Sequence, residues 1–463
     1  MPPAPSDPVS NRYTRLTLFT VAALALHQAM RVELGQYHPR AMVWLTVAVV
    51  ACWVAVVSPG IAFLEVRGRR LFFQVLCGGL AIQFLQAMKL PPGFVPPGGS
   101  SSVPPVFLGG VVVAAALVFW AVRRPEGGAH RWFLALALVH FALGVWFLRT
   151  SPPVDIDVLK FQNESADALL RGINPYTITF ADPSGGTSAF YGPGVSVNGR
   201  LLFGFPYPPL DLLFCVPARA FFGDVRFAHL LCVTLAGLFI GYSTSGLVSR
   251  LAAAFFWFAP CTYFVIQMSW TESFGVLLLS LTVFLTGRQS RGTAAVFGLL
   301  LAVKQYMIFA PFAIWSLLRG QSRQQIVHFC SIAAGVAAAV TLPLALWNWQ
   351  AFFHSVVTLQ MFQPFREDAL SYLAWLVHMG FGQPPQWFPF LPALVAAWIT
   401  VKRGGTSASS FAGGMALIYI TFFCFSKQAF CNYYFLVSGA LCAAIAAGSG
   451  RASEDEHAPG AER

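Results

Sequence analysis

The chain has 463 residues, of which 57% are hydrophobic and only 10% are charged. Soluble domains carry about 25% charged residues, so this composition excludes a soluble globular enzyme, a disordered protein and a nucleic-acid-binding protein. The formal net charge of +11 comes from 29 Lys and Arg against 18 Asp and Glu, an excess that is typical of the cytoplasmic loops of membrane proteins. We therefore expect an all-α polytopic protein embedded in a lipid bilayer.

Apolar runs recur along the whole chain. A helix that crosses the hydrocarbon core needs roughly 20 apolar residues, or fewer where it packs against other protein, so we expect about 12–14 spans. We interpret the first run as a retained helix, because further membrane segments follow it. The candidate spans are 16–30, 41–57, 71–90, 104–122, 131–148, 227–248, 251–268, 273–287, 292–303, 305–318, 326–347, 387–401, 411–425 and 432–448.

Basic loops predict the orientation. With a cytoplasmic N-terminus, the arginines of 67–70, 123–131 and 288–291 all lie in cytoplasmic loops. This orientation requires residues 208–222 to lie at the outer membrane interface, which Pro217 and the shortness of the run favour. In the alternative, 208–222 crosses the membrane and every later segment is inverted.

Residues 292–318 are predicted to form a pair of short helices rather than one long helix. Basic loops flank the segment on both sides, and Lys304 lies at its middle. A pair that returns to the same side satisfies both loops, and it lifts the ammonium away from the bilayer centre, where it would cost about 2.5–3.5 kcal/mol.

The longest polar stretch, 149–226, is predicted to be a large extracytoplasmic loop that carries interfacial helices. It begins with two carboxylates after Pro152-Pro153 and continues into 159–171, whose pattern predicts a helix that lies flat on the membrane with Leu159, Gln162, Ala166, Leu169 and Leu170 near one face. The Gly-, Ser- and Pro-rich stretch 183–204 is expected to be mobile or to be ordered only by a ligand. The other external polar clusters are 270–272, 304–306, 365–368 and 426–434. We expect all of them to contribute to one site between helices.

The order of motifs in this loop resembles that of bacterial GT-C glycosyltransferases, which use polyprenyl-phosphate-linked sugars. The similarity is to a mannosyltransferase-like branch that carries a domain of unknown function, and it covers about 131–448. A lysine at the tip of a short helix pair and a late aromatic-polar cluster are also similar. The matching residues of the loop are Asp157, then Gly172, Asn174, Pro175 and Tyr176, then Tyr207, Pro208, Pro209 and Leu210. One departure is the presence of four spans before the segment equivalent to the family's first helix.

The resemblance implies transfer of a sugar, such as mannose, to an acceptor hydroxyl with inversion at the anomeric carbon. An aspartate would remove the hydroxyl proton, and Asp157 is the first candidate and Asp155 the second. Cations would bind the lipid phosphate that leaves. The candidates for phosphate binding are Lys304, Arg366 and Lys427. The candidates for substrate binding are Asn174, Tyr176, Tyr207, Glu272, Gln428, Asn432 and Tyr433.

Each of these residues also has a structural interpretation. In the structural interpretation, Asp155 and Asp157 are solvated acids of a loop. Lys304 is then a lysine whose side chain extends to the membrane interface and binds no ligand. Arg366 is alternatively half of a local ion pair, and Glu272 a residue that begins a helix. No cofactor is expected, and a divalent metal is left open.

The predicted organisation has three parts: a four-helix extension of unassigned role (1–124), a GT-C-like membrane domain (125–448) and a cytoplasmic tail (449–463). We expect a multi-pass protein of the bacterial inner membrane with its active site on the extracytoplasmic face. The expected partners are a polyprenyl-phosphate sugar, a lipid or glycan acceptor and the bilayer. The alternative functions are a transporter or flippase of a lipid-linked glycan, and a non-catalytic scaffold.

Overall fold

The structure is a computed structural model that describes residues 9–57, 68–89, 91, 93–94, 103–124, 131–183, 191–192 and 194–450. Arg67, most of the predicted loop 123–131 and the predicted tail beyond residue 450 lie outside these residues. The described chain is almost entirely helical. Its helices are α1 (Val9–Val32), α2 (Pro39–Val57), α3 (Gly68–Ala87), α4 (Pro105–Arg123), α5 (Arg131–Thr150), α6 (Asp157–Leu170), α7 (Pro209–Phe222), α8 (Arg226–Gly241), α9 (Leu247–Trp257), α10 (Thr262–Gln267), α11 (Glu272–Gly287), α12 (Thr293–Leu301), α13 (Ala310–Leu318), α14 (Arg323–Trp347), α15 (Trp349–Phe353), α16 (Leu359–Phe362), α17 (Tyr372–His378), α18 (Phe390–Arg403), α19 (Ala408–Cys424) and α20 (Cys431–Gly448).

The protein is an all-α multi-pass membrane protein. Among the described helices, α2, α3, α4, α5, α14 and α20 are long and apolar enough to cross a bilayer, and α7 with α8 makes a seventh span if that bent pair counts as one. Shorter apolar helices, such as α9, α11 and α19, pack within the protein. A helix surrounded by protein does not need about 20 apolar residues, because its neighbours cover its ends.

One predicted span is two helices. The run 251–268 contains the end of α9 and the whole of α10, and Pro260 lies between them. Proline has no N–H to donate and its ring clashes with the preceding turn, so it interrupts a helix even in an apolar run. The prediction of a single helix here was wrong.

The N-terminal helix α1 is part of the central core. His27 Nε2 lies 2.5 Å from Ser438 Oγ on α20, and Arg12 donates to the carbonyl of Gly448, 2.8 Å away. Trp53 on α2 donates to Thr421 on α19 over 3.0 Å. The boundary at residue 124 stays a prediction, but α1 and α2 are joined to the last two helices of the chain.

Residues 208–222 and 292–318 form the short helices that the sequence predicted, while the interfacial position of the first stays a prediction. α7 covers almost all of 208–222, ends at Gly223 with φ of 73°, and turns by 118° into α8. Residues 292–318 form α12 and α13 with a break at 302–304 and a 3₁₀ turn, Gln305–Phe309, between them. The extended backbone of Lys304 therefore separates two short helices, as the flanking basic loops predicted.

Helix α6 lies where the amphipathic pattern predicted a helix. Leu159, Gln162 and Ala166 are buried, but Leu170 is 51% exposed. Leu170 is the last residue of the helix, and Gly172 beyond it takes a left-handed conformation with φ of 72°.

The stretch 183–204 was expected to be mobile or ordered by a ligand, and its described part instead joins a small antiparallel sheet. The strands are β1 (Phe180–Ala181), β2 (Ser196–Val197) and β3 (Arg200–Leu201), in the order β1-β3-β2. Phe180 pairs with Leu201, and Ser196 pairs with the same residue from the other side. Strands of two residues are too short to produce a visible alternation of apolar and polar residues.

Close packing of α12 on α14 yields a stability prediction. A Cβ added at Gly298 would lie 2.3 Å from the carbonyl oxygen of Ala333. Gly298→Ala should therefore destabilise the protein by about 1–3 kcal/mol, because overpacking forces backbone shifts. The melting temperature of the purified protein in detergent measures the effect.

The matched control is Gly335→Ala on α14, where nothing lies within 4 Å of the added Cβ. Since alanine is the better helix former by about 1 kcal/mol, this variant should keep or raise the melting temperature. Equal falls in both variants would show that the α12–α14 contact is not the cause.

Candidate functional site

A cavity of about 1270 Å³ opens where α6, the α10–α11 turn, the Lys304 break and the start of α20 meet. Its size is above the usual range of 300–1,000 Å³ for small-ligand pockets. Its wall is drawn from 32–36, 155–161, 203–207, 264–271, 304–309, 356–366, 386–390 and 422–433, with Pro183 and Tyr191. Segments from both ends of the chain thus build one cavity.

Most of the residues that the sequence analysis singled out lie in this wall. They come from five separate stretches of the chain, which agrees with the expectation of a shared site. The nine that line the cavity are Asp155, Asp157, Tyr207, Lys304, Arg366, Lys427, Gln428, Asn432 and Tyr433. Asn174, Tyr176 and Glu272 lie behind the wall.

Asp157 is the first residue of α6. One carboxylate oxygen accepts the N–H of Val158 over 2.7 Å, and the other accepts the hydroxyl of Tyr191 over 2.9 Å. Burial raises the pKa of the Asp157 carboxyl, while Tyr191 and the positive charge of Arg366 oppose that rise. A carboxyl with a raised pKa inside a cavity is typical of functional groups that accept a proton. Asp155, by contrast, is exposed.

An aromatic cluster holds α6 and the small sheet together. The ring centroids of Phe161 and Phe180 are 4.6 Å apart, and Phe203 contacts both rings. Tyr191 contacts Phe203 at 6.1 Å. This packing places the Tyr191 hydroxyl against Asp157, a contact that the sequence did not predict, because Tyr191 lies in a stretch with no periodic pattern.

Lys304 and Glu272 form a buried ion pair at the base of the cavity. The ammonium lies 3.0 Å from Glu272 Oε1 and also donates to the hydroxyl of Thr271. The hydroxyl of Tyr306 donates to the same carboxylate oxygen, 3.0 Å away, and the ring of Tyr207 lies 4.5 Å from the ammonium. Glu272 is indeed the first residue of α11, but its carboxylate makes these contacts rather than a helix cap.

Asp211 lies near this pair and was not singled out from the sequence. It is fully buried in the first turn of α7, and neither of its carboxylate oxygens has a hydrogen-bond partner among the described residues. Its place directly after the Tyr-Pro-Pro-Leu motif is the signal that could have identified it.

Asn174 and Tyr176 position the wall of the cavity. The Asn174 side chain accepts the N–H of Tyr176 over 2.9 Å and so forms a turn. The Tyr176 hydroxyl then donates to the carbonyl of Tyr207, 2.9 Å away. Gln305 holds the neighbouring Pro206 carbonyl over 2.9 Å. The turn motif thus sets the position of Tyr207, whose ring faces Lys304.

The two other cations of the cavity wall, Arg366 and Lys427, differ in their partners. Arg366 makes a two-pronged ion pair with Asp368, at 2.8 and 2.6 Å, as the local-pair interpretation predicted. Lys427 donates to the carbonyls of Gln363 and Gln360, at 2.6 and 3.2 Å, and to the Gln386 side chain at 3.4 Å. No carboxylate in the described part of the chain pairs with Lys427, and burial lowers the pKa of its ammonium.

The remaining predicted residues line the same wall. Gln428 donates to the carbonyl of Pro364 over 2.9 Å, and the ring of Tyr433 contacts those of Tyr306 and Phe423 at 6.1 and 5.0 Å. Asn432 is largely buried beside it. Within the described ranges, no three His, Cys, Asp or Glu side chains are grouped to hold a metal ion.

Comparisons with known proteins give one similar structure. No protein-family profile and no curated protein matches the chain. A solved structure that resembles it is the crystal structure of ArnT from Cupriavidus metallidurans bound to undecaprenyl phosphate. The two chains are 16% identical, and the match covers 72% of this chain and 60% of that one with a TM-score of 0.44.

The buried pair at the base of the cavity should be important for stability. Glu272→Gln removes one partner and leaves a buried ammonium without its counter-charge, which costs about 3–5 kcal/mol. We expect a large fall in the melting temperature in detergent, and partial recovery in the double variant Glu272→Gln, Lys304→Met, which removes both charges.

Asp167→Asn is the matched control. Asp167 pairs with Arg219 at 2.7 Å, but both side chains are about one third exposed, so the pair contributes about 0–1 kcal/mol. If Glu272→Gln proved no more harmful than Asp167→Asn, the Lys304–Glu272 pair would not stabilise the fold.

Proposed function

We propose that the protein is a membrane glycosyltransferase that moves a sugar from a polyprenyl-phosphate donor to the hydroxyl of a lipid or glycan acceptor. The observation that carries the proposal is the cavity itself. It combines a carboxylate of raised pKa, Asp157, with three cations and several exposed apolar side chains in one wall, in a protein with helices that can cross a membrane.

Asp157 is the general base of this proposal. Burial raises the pKa of this carboxyl toward the pH at which the enzyme would work, and a general base is most effective when its pKa lies near that pH. Tyr191 holds one of its oxygens, at 2.9 Å, and orients the carboxylate. Asp155 is exposed and stays the second candidate.

Lys427 is the first candidate for the phosphate of the donor. Among the described residues its ammonium has only neutral acceptors, so an incoming phosphate would supply the negative charge that it lacks. Arg366 lies in the same wall but already holds Asp368. Lys304 also lines the cavity, but Glu272 compensates its charge.

The apolar side of the cavity suits the polyprenyl chain. Ile308, Met361, Trp387 and Phe390 line it and are 47–69% exposed. Large exposed apolar side chains on a membrane protein face lipid, so the chain of the donor would leave the cavity between the 3₁₀ turn, α16 and α18.

The proposed reaction is a single displacement. Asp157 takes the proton of the acceptor hydroxyl as its oxygen forms a bond to the anomeric carbon. The bond from that carbon to the phosphate oxygen breaks, and the electron pair leaves with polyprenyl phosphate, whose charge Lys427 and Arg366 stabilise. Attack opposite the leaving group inverts the anomeric configuration. The proposal includes no cofactor.

The finer identity of the reaction follows from the motif resemblance. Mannose is the proposed sugar, the bacterial inner membrane the proposed location, and the extracytoplasmic face the proposed side of the cavity. The basic loops support the extracytoplasmic placement, because in the predicted orientation they lie on the cytoplasmic side of the membrane and the cavity lies on the other side.

Release of polyprenyl phosphate from a panel of labelled polyprenyl-phosphate sugars tests the function. We expect turnover with one donor, and Asp157→Asn should lower kcat by about 10²–10⁴-fold, the usual contribution of a general base. Asp167→Asn on the same helix is the control, since Asp167 lies outside the cavity wall.

Two other outcomes are informative. Turnover that survives in Asp157→Asn would move the base to Asp155 or elsewhere. No turnover with any donor, after acceptor lipids are added, would overturn the enzyme proposal. Transport of a lipid-linked glycan would then be tested by labelling of a cysteine placed at Lys304 from each side of the membrane.

The pH dependence of the reaction gives a second prediction. The Tyr191 hydroxyl stabilises the charged form of Asp157 and lowers its pKa. Tyr191→Phe removes this hydrogen bond, so the pKa of Asp157 should rise further, and the acid limb of kcat/KM should move to higher pH.

The control is Tyr372→Phe. The Tyr372 hydroxyl donates to Thr46 over 3.0 Å, and Tyr372 does not line the cavity. The pH profile of this variant should match that of the wild type. An acid limb that did not move in Tyr191→Phe, or that moved to lower pH, would contradict the assignment of Asp157 as the base.

A further inference from the structure

Residues 33–38 connect α1 to α2, and we call them the α1–α2 turn. We propose that this turn is a positioning element of the site. It holds Arg366 and the start of α20 in the positions that the site needs to bind its substrate. The inference rests on the proposed function, because it concerns the same cavity. It also assigns a role to part of the N-terminal segment, for which the motifs indicated none.

The turn packs closely on the start of α20. Leu34 and Gly35 both have positive φ, 54° and 79°. A Cβ added at Gly35 would lie 2.2 Å from the backbone N of Cys431, the first residue of α20. The next two residues, Asn432 and Tyr433, line the cavity. The tight conformation of the turn is therefore what allows the two backbones to touch beside the site.

The turn also holds the loop that carries Arg366. The N–H of Tyr37 donates to the carbonyl of Asp368 over 2.8 Å, and Gln36 forms an antiparallel bridge with Ala369. The Asp368 carboxylate in turn holds the Arg366 guanidinium by two hydrogen bonds. The backbone of the turn thereby fixes the residue that orients this cation.

Two further contacts hold the same assembly. The rings of Tyr37 and His378 stack at 4.1 Å, and the N–H of Arg366 donates to the carbonyl of Lys427 over 3.0 Å. A movement of the turn would therefore displace both cations of the wall together.

The turn reaches the cavity directly as well. Glu33, Leu34 and Gln36 belong to its wall. The positive charge of Arg366 acts on Asp157 and lowers the pKa of that carboxyl, so the guanidinium that the turn positions lies within electrostatic range of the proposed base.

The first test compares Gly35→Ala with Gly320→Ala. Both glycines have a left-handed backbone, with φ of 79° and 87°, so both variants carry the same kind of strain. Of the two, Gly35 packs on Cys431 next to the cavity wall, whereas nothing lies within 4 Å of a Cβ at Gly320. We expect Gly35→Ala to raise KM for the donor about ten- to a hundredfold, the size of one charged hydrogen bond, with a smaller effect on kcat. Gly320→Ala should keep the wild-type KM.

The second test leaves the turn unchanged and is decisive if Gly35→Ala does not fold. Asp368→Asn keeps the shape of the side chain but loses the charge that holds Arg366. It should show the same rise in KM, and Asp368→Glu should restore part of the loss, because it returns the charge. A purely structural role would lower the melting temperature without this split between KM and kcat.

The outcomes separate the two proposals. An active wild type with normal KM values in Gly35→Ala and Asp368→Asn would overturn the role of the turn and leave the proposed function standing. Rises in KM of equal size in Gly35→Ala and Gly320→Ala would also overturn it. A wild type that is inactive with every donor would overturn both.

Discussion

A fully buried charge is costly unless it is paired, and the Lys304–Glu272 pair meets this constraint in the cavity. The pair joins the break between α12 and α13 to the start of α11, so it connects three helices at one point. Tyr306 donates to the carboxylate, and Tyr207 faces the ammonium. The shape of the polar end of the cavity depends on this arrangement.

The same constraint implies different roles for the three cations of the site, because they have different partners. Lys304 has a carboxylate partner and is buried, so its charge is part of the architecture. Lys427 is held by neutral carbonyl and amide oxygens, and no carboxylate in the described ranges pairs with it, so its charge is suited to an anion. Arg366 combines both features: Asp368 orients its guanidinium, and the side chain lines the cavity. Three cations that look equivalent in the sequence therefore have different environments.

Much of the helical framework could be predicted, because runs of apolar residues report helices directly. The helix over 159–171 and the two short helices around Lys304 follow from amphipathic spacing and from flanking basic loops, although α6 begins two residues earlier, at Asp157. The split of 251–268 at Pro260 and the small sheet could not be predicted in the same way. The apolar run continues through Pro260, so hydrophobicity alone does not show where the helix breaks. Strands of two residues are too short to show an alternation of apolar and polar side chains.

The sequence by itself determined that this is a polytopic helical membrane protein, and which segments carry its polar residues, because lipid imposes a composition that can be counted. Only the tertiary structure decided which of those residues meet. Tyr191 reaches Asp157 through an aromatic cluster, and the α1–α2 turn reaches Arg366 through the backbone of Asp368. Such contacts join residues far apart in the chain, and they depend on packing and on main-chain hydrogen bonds, which no local pattern of side chains records.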